Sequence, residues 1–288
     1  MKNSLIIFLF ITTSTLIGAN NEKDSLLTRY SVRVENSSKD IFIMDNQTNK
    51  EFKWGRVPNC YCSHYHFAEY HHPNLYVIRR FDTSIPDWKD ELWVYSGINK
   101  GKLLFKKQGF DFHVNHKQTL LSSYNVDTLI VIDLVKNKTH KIRISDDKKN
   151  GMDYGIASMR WDSDKDIVWG VLSSISFGHY SFFSYEYSAG KLEKYRVPEG
   201  CEDDYDINPD LGLLLYSDYP FIVDAETGDD LIKSKTKIHL YVFDFKTNQQ
   251  KLLMTSIAEM FNPKWITNGI IEYNSLSANK RERITYIK

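Results

Sequence analysis

The sequence predicts an all-β protein, most simply a β-propeller of six four-stranded blades, and three observations point to this fold class. Aromatic and β-branched residues occur in short runs along the chain, and such residues favour strands. The runs recur as a repeated strand–turn–strand unit, in which Asn or Gly usually stands at the same place in the turn. Blade repeats are about 40–50 residues long, so the 269 residues that follow residue 19 of this 288-residue chain hold about six.

The first element of the repeat is a strand that ends in a polar residue and leads into a tight turn. Asn and Gly tolerate the left-handed backbone conformation that such turns need. Lysine stands at this place in one copy, where Gly101 follows it. The strands are residues 41–45, 92–96, 129–133, 182–186 and 240–244, and the corresponding turn residues are Asn49, Lys100, Asn137, Gly190 and Asn248.

A second hairpin precedes the later copies and completes a four-stranded antiparallel unit. Asn208-Pro209-Asp210-x-Gly212 leads into an apolar strand, and Asn268-Gly269 leads into another. The C-terminal copy supplies only three strands, whereas residues 29–34 form a strand without an obvious mate. We therefore expect the N- and C-terminal strands to pair in one sheet that closes the ring. A pair of β-sandwiches is the alternative fold.

Two hairpins resemble the repeat of TolB-type (WD40-like) β-propellers. They are the Asn208-Pro209-Asp210-x-Gly212 segment with Tyr216-Ser217 and residues 240–244, and the segment from Phe261-Asn262-Pro263 to Tyr273-x-Ser275. The resemblance implies an extracytoplasmic binding platform. TolB carries an additional N-terminal α/β domain, which we do not expect here, because the repeat begins soon after the N-terminus.

Residues 1–19 are typical of a secretory signal peptide. Lys2 precedes a short apolar run, and Gly18-Ala19 ends the segment before polar Asn20-Asn21. We expect an exported protein, periplasmic or extracellular, with one propeller domain over residues 20–288 and no membrane insertion after cleavage. An uncleaved N-terminal anchor is the alternative. The 37 basic and 37 acidic residues balance, which disfavours nucleic acid as a partner.

The residue types most suited to metal binding lie between residues 60 and 72. In an extended strand, Cys60, Cys62, His64 and His66 would share one face, and thiolate and imidazole ligands suit Zn²⁺ or copper. Same-face neighbours on a flat strand lie about 7 Å apart, so all four reach one ion only if the strand bends. Alternatively, Cys60 or Cys62 forms a disulfide with Cys201.

Two further features are expected to be structural. His71-His72 precedes Pro73-Asn74 where other copies place their first hairpin turn, and the acidic run of residues 202–206 is expected to be a solvated loop. The six tryptophans, at positions 54, 88, 93, 161, 169 and 265, mostly fall in strands and are expected to pack between blades.

The sequence contains no G-x-S-x-G motif of serine hydrolases, no glycine-rich phosphate-binding loop and no HExxH motif of zinc proteases. The preferred interpretation is a non-enzymatic, exported binding scaffold that requires no cofactor and presents loops to a protein, small-molecule or glycan ligand. Two alternatives stay open. One is a hydrolase or lyase that acts on glycans in the central funnel, and the other is a metal-binding protein that uses the Cys60–His72 segment.

Overall fold

The computed structural model describes residues 30–35, 40–45, 48–56, 68–79, 90–98, 100–107, 112–145, 154–174, 180–202, 204–220, 236–257, 260–275 and 280–287. In these ranges every regular element is a β-strand, and the strands form six antiparallel sheets. The all-β prediction and the six-blade prediction are therefore confirmed. No helix in the described ranges is long and apolar enough to cross a membrane.

The six sheets follow one another along the chain, and each is a blade of the propeller. Blade 1 contains β1 (Tyr30–Val34), β2 (Asp40–Asp45) and β3 (Lys50–Arg56). Blade 2 contains β4 (Ala68–His71), β5 (Asn74–Arg79), β6 (Asp90–Tyr95) and β7 (Gly101–Lys107). Blade 3 contains β8 (Phe112–Val114), β9 (Leu120–Asn125), β10 (Thr128–Asp133) and β11 (Lys138–Arg143). Blade 4 contains β12 (Tyr154–Trp161), β13 (Ile167–Ser174), β14 (Tyr180–Glu186) and β15 (Lys191–Tyr195). Blade 5 contains β16 (Tyr205–Asn208), β17 (Leu213–Ser217), β18 (Lys237–Asp244) and β19 (Gln249–Ile257), and blade 6 contains β20 (Lys264–Thr267), β21 (Ile270–Ser275) and β22 (Lys280–Thr285).

The turns of the repeat have the predicted backbone conformation. Asn49, Asn137, Gly190 and Asn248 all have positive φ, between 53° and 64°. Asn and Gly tolerate this left-handed region better than other residues, which explains why they recur at these places. Asp133, at the end of the strand before the Asn137 turn, adds a second local constraint. Its Oδ1 accepts hydrogen bonds from the N–H groups of Val135 and Lys136.

The first and last blades differ from the prediction in how the chain ends pair. Val32 of β1 pairs with Ile43 of β2, and Ile284 of β22 pairs with Ile271 of β21. Within the described ranges each terminal strand thus belongs to the sheet of its sequence neighbours, and the two blades have three strands each. The expected pairing of the segment near Val32 with β22 is therefore not found in the described ranges, where β1 and β22 belong to different sheets.

The hydrophobic core lies between the blades. Five buried clusters occupy the five junctions between consecutive blades, from blades 1 and 2 to blades 5 and 6. At the junction of blades 4 and 5, for example, Trp169 stacks on Tyr195 and on Phe245, and Phe182 and Tyr216 are fully buried nearby. Burying one such side chain contributes about 1.5–3 kcal/mol, so the apolar faces of the sheets hold consecutive blades together.

The tryptophan prediction is confirmed for the tryptophans in the described ranges. Trp54, Trp93, Trp161, Trp169 and Trp265 lie in strands, and each packs in or against one of these junctions. Trp88 lies outside the described residues.

Candidate functional site

One strand in each of blades 2 to 6 lines the centre of the ring. We call β4, β8, β12, β16 and β20 the inner strands, because each forms one edge of its sheet and side chains on them reach the inner strand of a neighbouring blade. The turn that follows each inner strand is called the inner turn. Inner strands and inner turns of successive blades therefore meet at one end of the central opening.

Corresponding positions on the inner strands carry polar side chains that bridge blades. The residues at the equivalent position are Glu69, His113, Arg160 and Asp206, in blades 2 to 5. Both carboxylates among them, Glu69 and Asp206, reach into a neighbouring blade.

Glu69 is the most heavily bonded of these residues. Its Oε1 accepts a hydrogen bond from His113 Nδ1 (2.8 Å), and its Oε2 accepts from His71 Nε2 (3.1 Å) and from the Val114 N–H (2.8 Å). Burial raises the pKa of this carboxyl, but the hydrogen bonds from His113 and His71 outweigh burial and lower the pKa from 4.5 to about 2. Glu69 is therefore an ionised, acceptor-only group at every pH of biological interest.

Arg160 and Asp206 form a second bridge, between blades 4 and 5. Arg160 Nη1 lies 3.1 Å from Asp206 Oδ1 and donates a hydrogen bond to the carbonyl of Ile207 (2.9 Å). Asp206 Oδ2 also accepts the N–H of Trp265 from blade 6 (2.7 Å). Both contacts of Arg160 use Nη1, so its Nη2 amino group, on a side chain that is 44% exposed, can still meet a ligand.

The inner turns place further titratable groups above these bridges. His116 of blade 3 lies edge-to-face with His71 of blade 2, with ring centroids 6.1 Å apart. Burial and the neighbouring His71 lower the pKa of His116, while Asp210 and Glu69 oppose that shift. Asp210 belongs to blade 5, and blade 4 separates blades 3 and 5 around the ring. The influence of Asp210 on His116 therefore acts across the central opening.

Hydrogen bonds between neighbouring inner turns hold these side chains in place. Asp210 accepts the Ser163 N–H (2.6 Å) and the Asn268 Nδ2 group (3.3 Å). Gln118 receives hydrogen bonds from Asn74 Nδ2 (2.7 Å) and from the Tyr76 hydroxyl (3.3 Å) of blade 2. This end of the opening is thus built from side chains whose positions are fixed by contacts between blades.

We call the set Glu69, His71, His113, His116, Arg160, Asp206 and Asp210 the histidine mouth. Because Glu69 only accepts, His71 must carry a proton on Nε2 and His113 must carry one on Nδ1. When these rings are neutral, His71 Nδ1 and His113 Nε2 are consequently the basic nitrogens. A carboxylate that fixes the tautomer and orientation of an imidazole is an arrangement that suits proton acceptance and polar ligand binding.

The predicted metal ligands Cys60, Cys62, His64 and His66 lie outside the described residues, so the metal site stays a prediction. In the described ranges, no three His, Cys, Asp or Glu side chains are placed to share one metal ion. Cys201 is buried, and Cys60 and Cys62 lie outside the described residues, so the alternative disulfide also stays a prediction.

Two structural expectations need correction. The turn after β4 consists of His72 and Pro73 as predicted, but His71 is the last residue of β4 and bonds to Glu69. Asp204, expected in a solvated loop, is only 2% exposed and accepts the N–H of Phe261 (3.0 Å). Its carboxylate also bonds to the Ser217 hydroxyl, and the acid therefore joins blades 5 and 6.

The sequence analysis did not identify Glu69, His113 and His116 as candidate site residues. The available signal was the alternation Glu69-x-His71 in the first strand of blade 2 and Asp206-x-Asn208 in that of blade 5. Alternation places such side chains on one face of a strand. The segment 113–116 was interpreted only as the start of a hairpin.

The opposite end of blade 5 carries a separate imidazole–carboxylate pair. His239 Nδ1 lies 2.7 Å from Asp218 Oδ2, and the His239 N–H donates to Asp218 Oδ1 (2.6 Å). This pair joins β18 to the end of β17 within one blade. It is therefore isolated from the histidine mouth.

Comparison with known proteins supports the fold and leaves the family open. No protein-family model matches the chain, and no curated protein matches it by sequence. Among solved structures, an oligogalacturonate lyase from Vibrio parahaemolyticus is 12% identical with a TM-score of 0.60, covering 90% of this chain and 74% of its own. Porphyromonas gingivalis dipeptidyl peptidase 4 is 10% identical with a TM-score of 0.52, covering 90% of this chain and 44% of its own.

TolB from Acinetobacter baumannii also matches, at 10% identity and a TM-score of 0.49, covering 89% of this chain and 60% of its own. The blade topology itself establishes the fold that the TolB-type resemblance implies. Six antiparallel sheets around a common centre, with inner strands bridged from blade to blade, make this chain a six-bladed β-propeller.

Proposed function

We propose that the protein is a binding propeller whose ligand docks at the histidine mouth. The observation that carries the proposal is the bridge between blades 2 and 3, where Glu69 orients two imidazoles at the central opening. Side chains fixed in this way bind with little further loss of conformational entropy. The proposed ligand is a polar molecule, such as an oligosaccharide or an exposed polar segment of a partner protein.

The location of the protein is part of the proposal. We infer from the signal-peptide pattern of residues 1–19 that the propeller is exported and meets its ligand in the periplasm or outside the cell. A polar ligand docked at a rigid propeller also agrees with the balanced charge of the chain, which offers no general attraction to nucleic acid.

An array of neutral oligosaccharides, acidic oligosaccharides and short peptides tests the proposal. The chain should bind at least one member, and His71→Gln/His113→Gln should weaken that binding at least tenfold. His140→Gln, on the outer strand of blade 3, is the matched control and should bind as the unchanged chain does. Binding that survives the double substitution would place the ligand elsewhere.

A glycan-cleaving enzyme is the second candidate, and the fixed tautomers of the two imidazoles favour it. A lyase needs a base that removes the proton beside a sugar carboxyl while the glycosidic oxygen leaves and a carbon–carbon double bond forms. His71 Nδ1 is a suitable base, and a similar fold occurs in an oligogalacturonate lyase. Incubation with acidic oligosaccharides, followed by ultraviolet absorbance of the unsaturated product, distinguishes turnover from binding alone.

The metal-binding alternative has its own test. Zinc and copper are measured in protein purified without a histidine tag, before and after Cys60→Ser/Cys62→Ser. A stoichiometric metal that disappears with the substitutions would support that alternative.

A further inference from the structure

Blade 6 has one strand fewer than blades 2 to 5 in the described ranges, and the strand it lacks there is the outer one. β22 occupies the third position of its sheet, next to β21. A backbone contact fixes this position, because the Tyr286 N–H donates to the Gly269 carbonyl as the Phe245 N–H donates to the Gly212 carbonyl in blade 5. Blade 5 continues with the outer strand β19, whereas no strand in the described part of the chain pairs with the outer edge of β22.

The exposure of β22 agrees with an uncovered edge. Lys280, Arg283 and Thr285 are exposed, and no residue of the strand is fully buried. The third strand of blade 3, β10, instead alternates between half-buried and buried residues and has no exposed one. An open edge of this kind presents backbone groups to which another strand can add.

The backbone of β22 directs hydrogen-bonding groups toward this edge. In an antiparallel pair, alternate residues bond to the neighbouring strand, and the residues between them direct their N–H and C=O groups to the other side. The contact of Tyr286 with Gly269 and the register that places Thr285 opposite Ile270 fix the alternation. Arg281 and Thr285 therefore direct their backbone N–H and C=O groups toward the outer edge.

The side chains of β22 make the edge positively charged. The strand contains three cationic residues and one acidic residue, which are Lys280, Arg281, Arg283 and Glu282. Arg281 and Arg283 lie on one face, where both pair with the buried Glu272 (2.8 and 2.9 Å). One carboxylate thus serves two guanidinium groups, so these three side chains together keep a positive charge.

The other face of β22 meets the apolar junction with blade 5. Ile284, and Leu253 and Met254 of the outer strand β19, pack against the buried cluster that joins blades 5 and 6. Side chains of a strand alternate between its two faces. A strand that suits this place therefore alternates acidic residues, which face Arg281 and Arg283, with apolar residues, which face blade 5.

We propose that β22 is a second interaction surface, to which an extended acidic segment of a partner protein adds as the outer strand of blade 6. Main-chain hydrogen bonds supply the affinity, and the alternation of acidic and apolar side chains supplies the specificity. A second copy of this chain suits the edge poorly, because pairing β22 with another β22 brings like charges together. The surface lies at the edge of the sheet opposite to the inner strand β20, so it is separate from the histidine mouth.

Three synthetic peptides of equal length test the proposal by fluorescence anisotropy. The first alternates glutamate with valine, and the second alternates lysine with valine. The third has the glutamate–valine sequence with a methyl group on every backbone nitrogen, which removes the N–H donors and keeps the charge. We expect only the unmodified acidic peptide to bind, and we expect its affinity to fall as salt is added.

A charge-removing variant locates the binding on β22. Lys280→Gln/Arg283→Gln should weaken the binding of the acidic peptide about tenfold. The matched control Lys138→Gln/Arg143→Gln removes the same two residue types from β11, the outer strand of blade 3, and should bind as the unchanged chain does. Equal denaturation midpoints show that the variants are folded. Lys280→Gln alone, at a side chain that is 65% exposed, carries the charge test if the double variant does not fold.

A backbone variant tests the strand addition itself. Thr285→Pro removes an N–H that faces the outer edge, and the hydrogen bonds between β22 and β21 do not use this group. The variant should therefore weaken the binding of the acidic peptide while its denaturation midpoint changes little. Unchanged binding in this variant would contradict strand addition.

The remaining outcomes also decide the inference. No binding of the acidic peptide, equal binding of the lysine peptide, binding that survives N-methylation, or equal effects of the two charge-removing variants would each overturn it. A photoreactive group is also attached at Lys280→Cys, in a chain whose native cysteines are replaced by serine. A cross-link to residues 20–29 of the same molecule, or to a second copy, would identify a different occupant and would overturn the inference as well.

Discussion

The contribution of Glu69 to stability can be tested by replacing it with glutamine. Glutamine has the same shape but offers one acceptor oxygen, whereas Glu69 accepts hydrogen bonds from His113, His71 and the Val114 N–H. Its amide group would meet at least one of these donors with a donor of its own. Glu69→Gln should therefore weaken the junction of blades 2 and 3.

The lowered pKa of Glu69 gives the size of the effect. The pKa falls from 4.5 to about 2, and one pKa unit corresponds to about 1.4 kcal/mol. The difference amounts to about 3 kcal/mol, and we expect about 2–3 kcal/mol because the side chain is 19% exposed and partly screened. This stabilisation should appear as a loss of unfolding free energy in the variant at pH 7.

The dependence on pH has a definite sign. A carboxyl whose pKa is lower in the folded state stabilises the fold fully above its unfolded value, near 4.5, and loses this effect as the pH falls toward 2. The advantage of the unchanged chain over Glu69→Gln should therefore shrink from about 2–3 kcal/mol at pH 7 to about 1 kcal/mol at pH 3.

Urea denaturation followed by tryptophan fluorescence measures both quantities. The matched control is Glu193→Gln on the outer strand β15, where the side chain is 46% exposed and bonded to Lys191. We expect the control to change stability by less than about 0.5 kcal/mol. A Glu69→Gln effect as small as that of the control, or one equally large at pH 7 and pH 3, would refute the reasoning.

Three further predictions concern packing, turns and the thiol. In Gly170→Ala the new methyl group would collide with the ring of Phe183, so we expect a loss of about 1–3 kcal/mol by urea denaturation, while Gly155→Ala, with open space around it, should lose far less. Asn248→Ala forces alanine into a backbone with φ of 55° and should cost about 1 kcal/mol, whereas Asn248→Gly should be nearly neutral in the same assay. Burial raises the pKa of Cys201, so with the other two cysteines replaced by serine, its alkylation at pH 8 should be slow in the native protein and become fast in urea. Rapid native labelling would contradict its buried position.

The strands and turns could be predicted because their signals are local. The residue types from Leu240 to Asp244 favour a strand by themselves. Asn248 favours the left-handed backbone conformation that the turn needs. The same local rules place residues 41–45 in a strand. No comparison with the rest of the chain is needed for any of these assignments.

The pairing of the chain ends could not be predicted from local signals, because it depends on where distant strands lie in the ring. Tyr30–Val34 pairs with β2, and β22 belongs to a different sheet in the described ranges. The adjacent partner requires only a short connection, and closing a short loop costs less conformational entropy than closing one that spans the chain.

The histidine mouth could not be predicted because its members come together only through the ring. Glu69 and His113 are 44 residues apart in the chain and meet because blades 2 and 3 are neighbours. Asp210 of blade 5 also acts on the pKa of His116 of blade 3, two blades away. The Cys and His residues between positions 60 and 66 were predicted as the site instead, because residues that lie close together in the sequence can be recognised without knowledge of the fold.

Histidine NMR gives the most direct test that the histidine mouth is the ligand site. The member of the oligosaccharide and peptide array that binds is added to the protein, and the imidazole signals are followed after assignment by single His→Gln substitutions. The account predicts shifts for His71, His113 and His116, with His140 on the outer strand of blade 3 and His239 at the opposite end of blade 5 unchanged. Unchanged signals from the mouth, or shifts confined to His140 and His239, would contradict it.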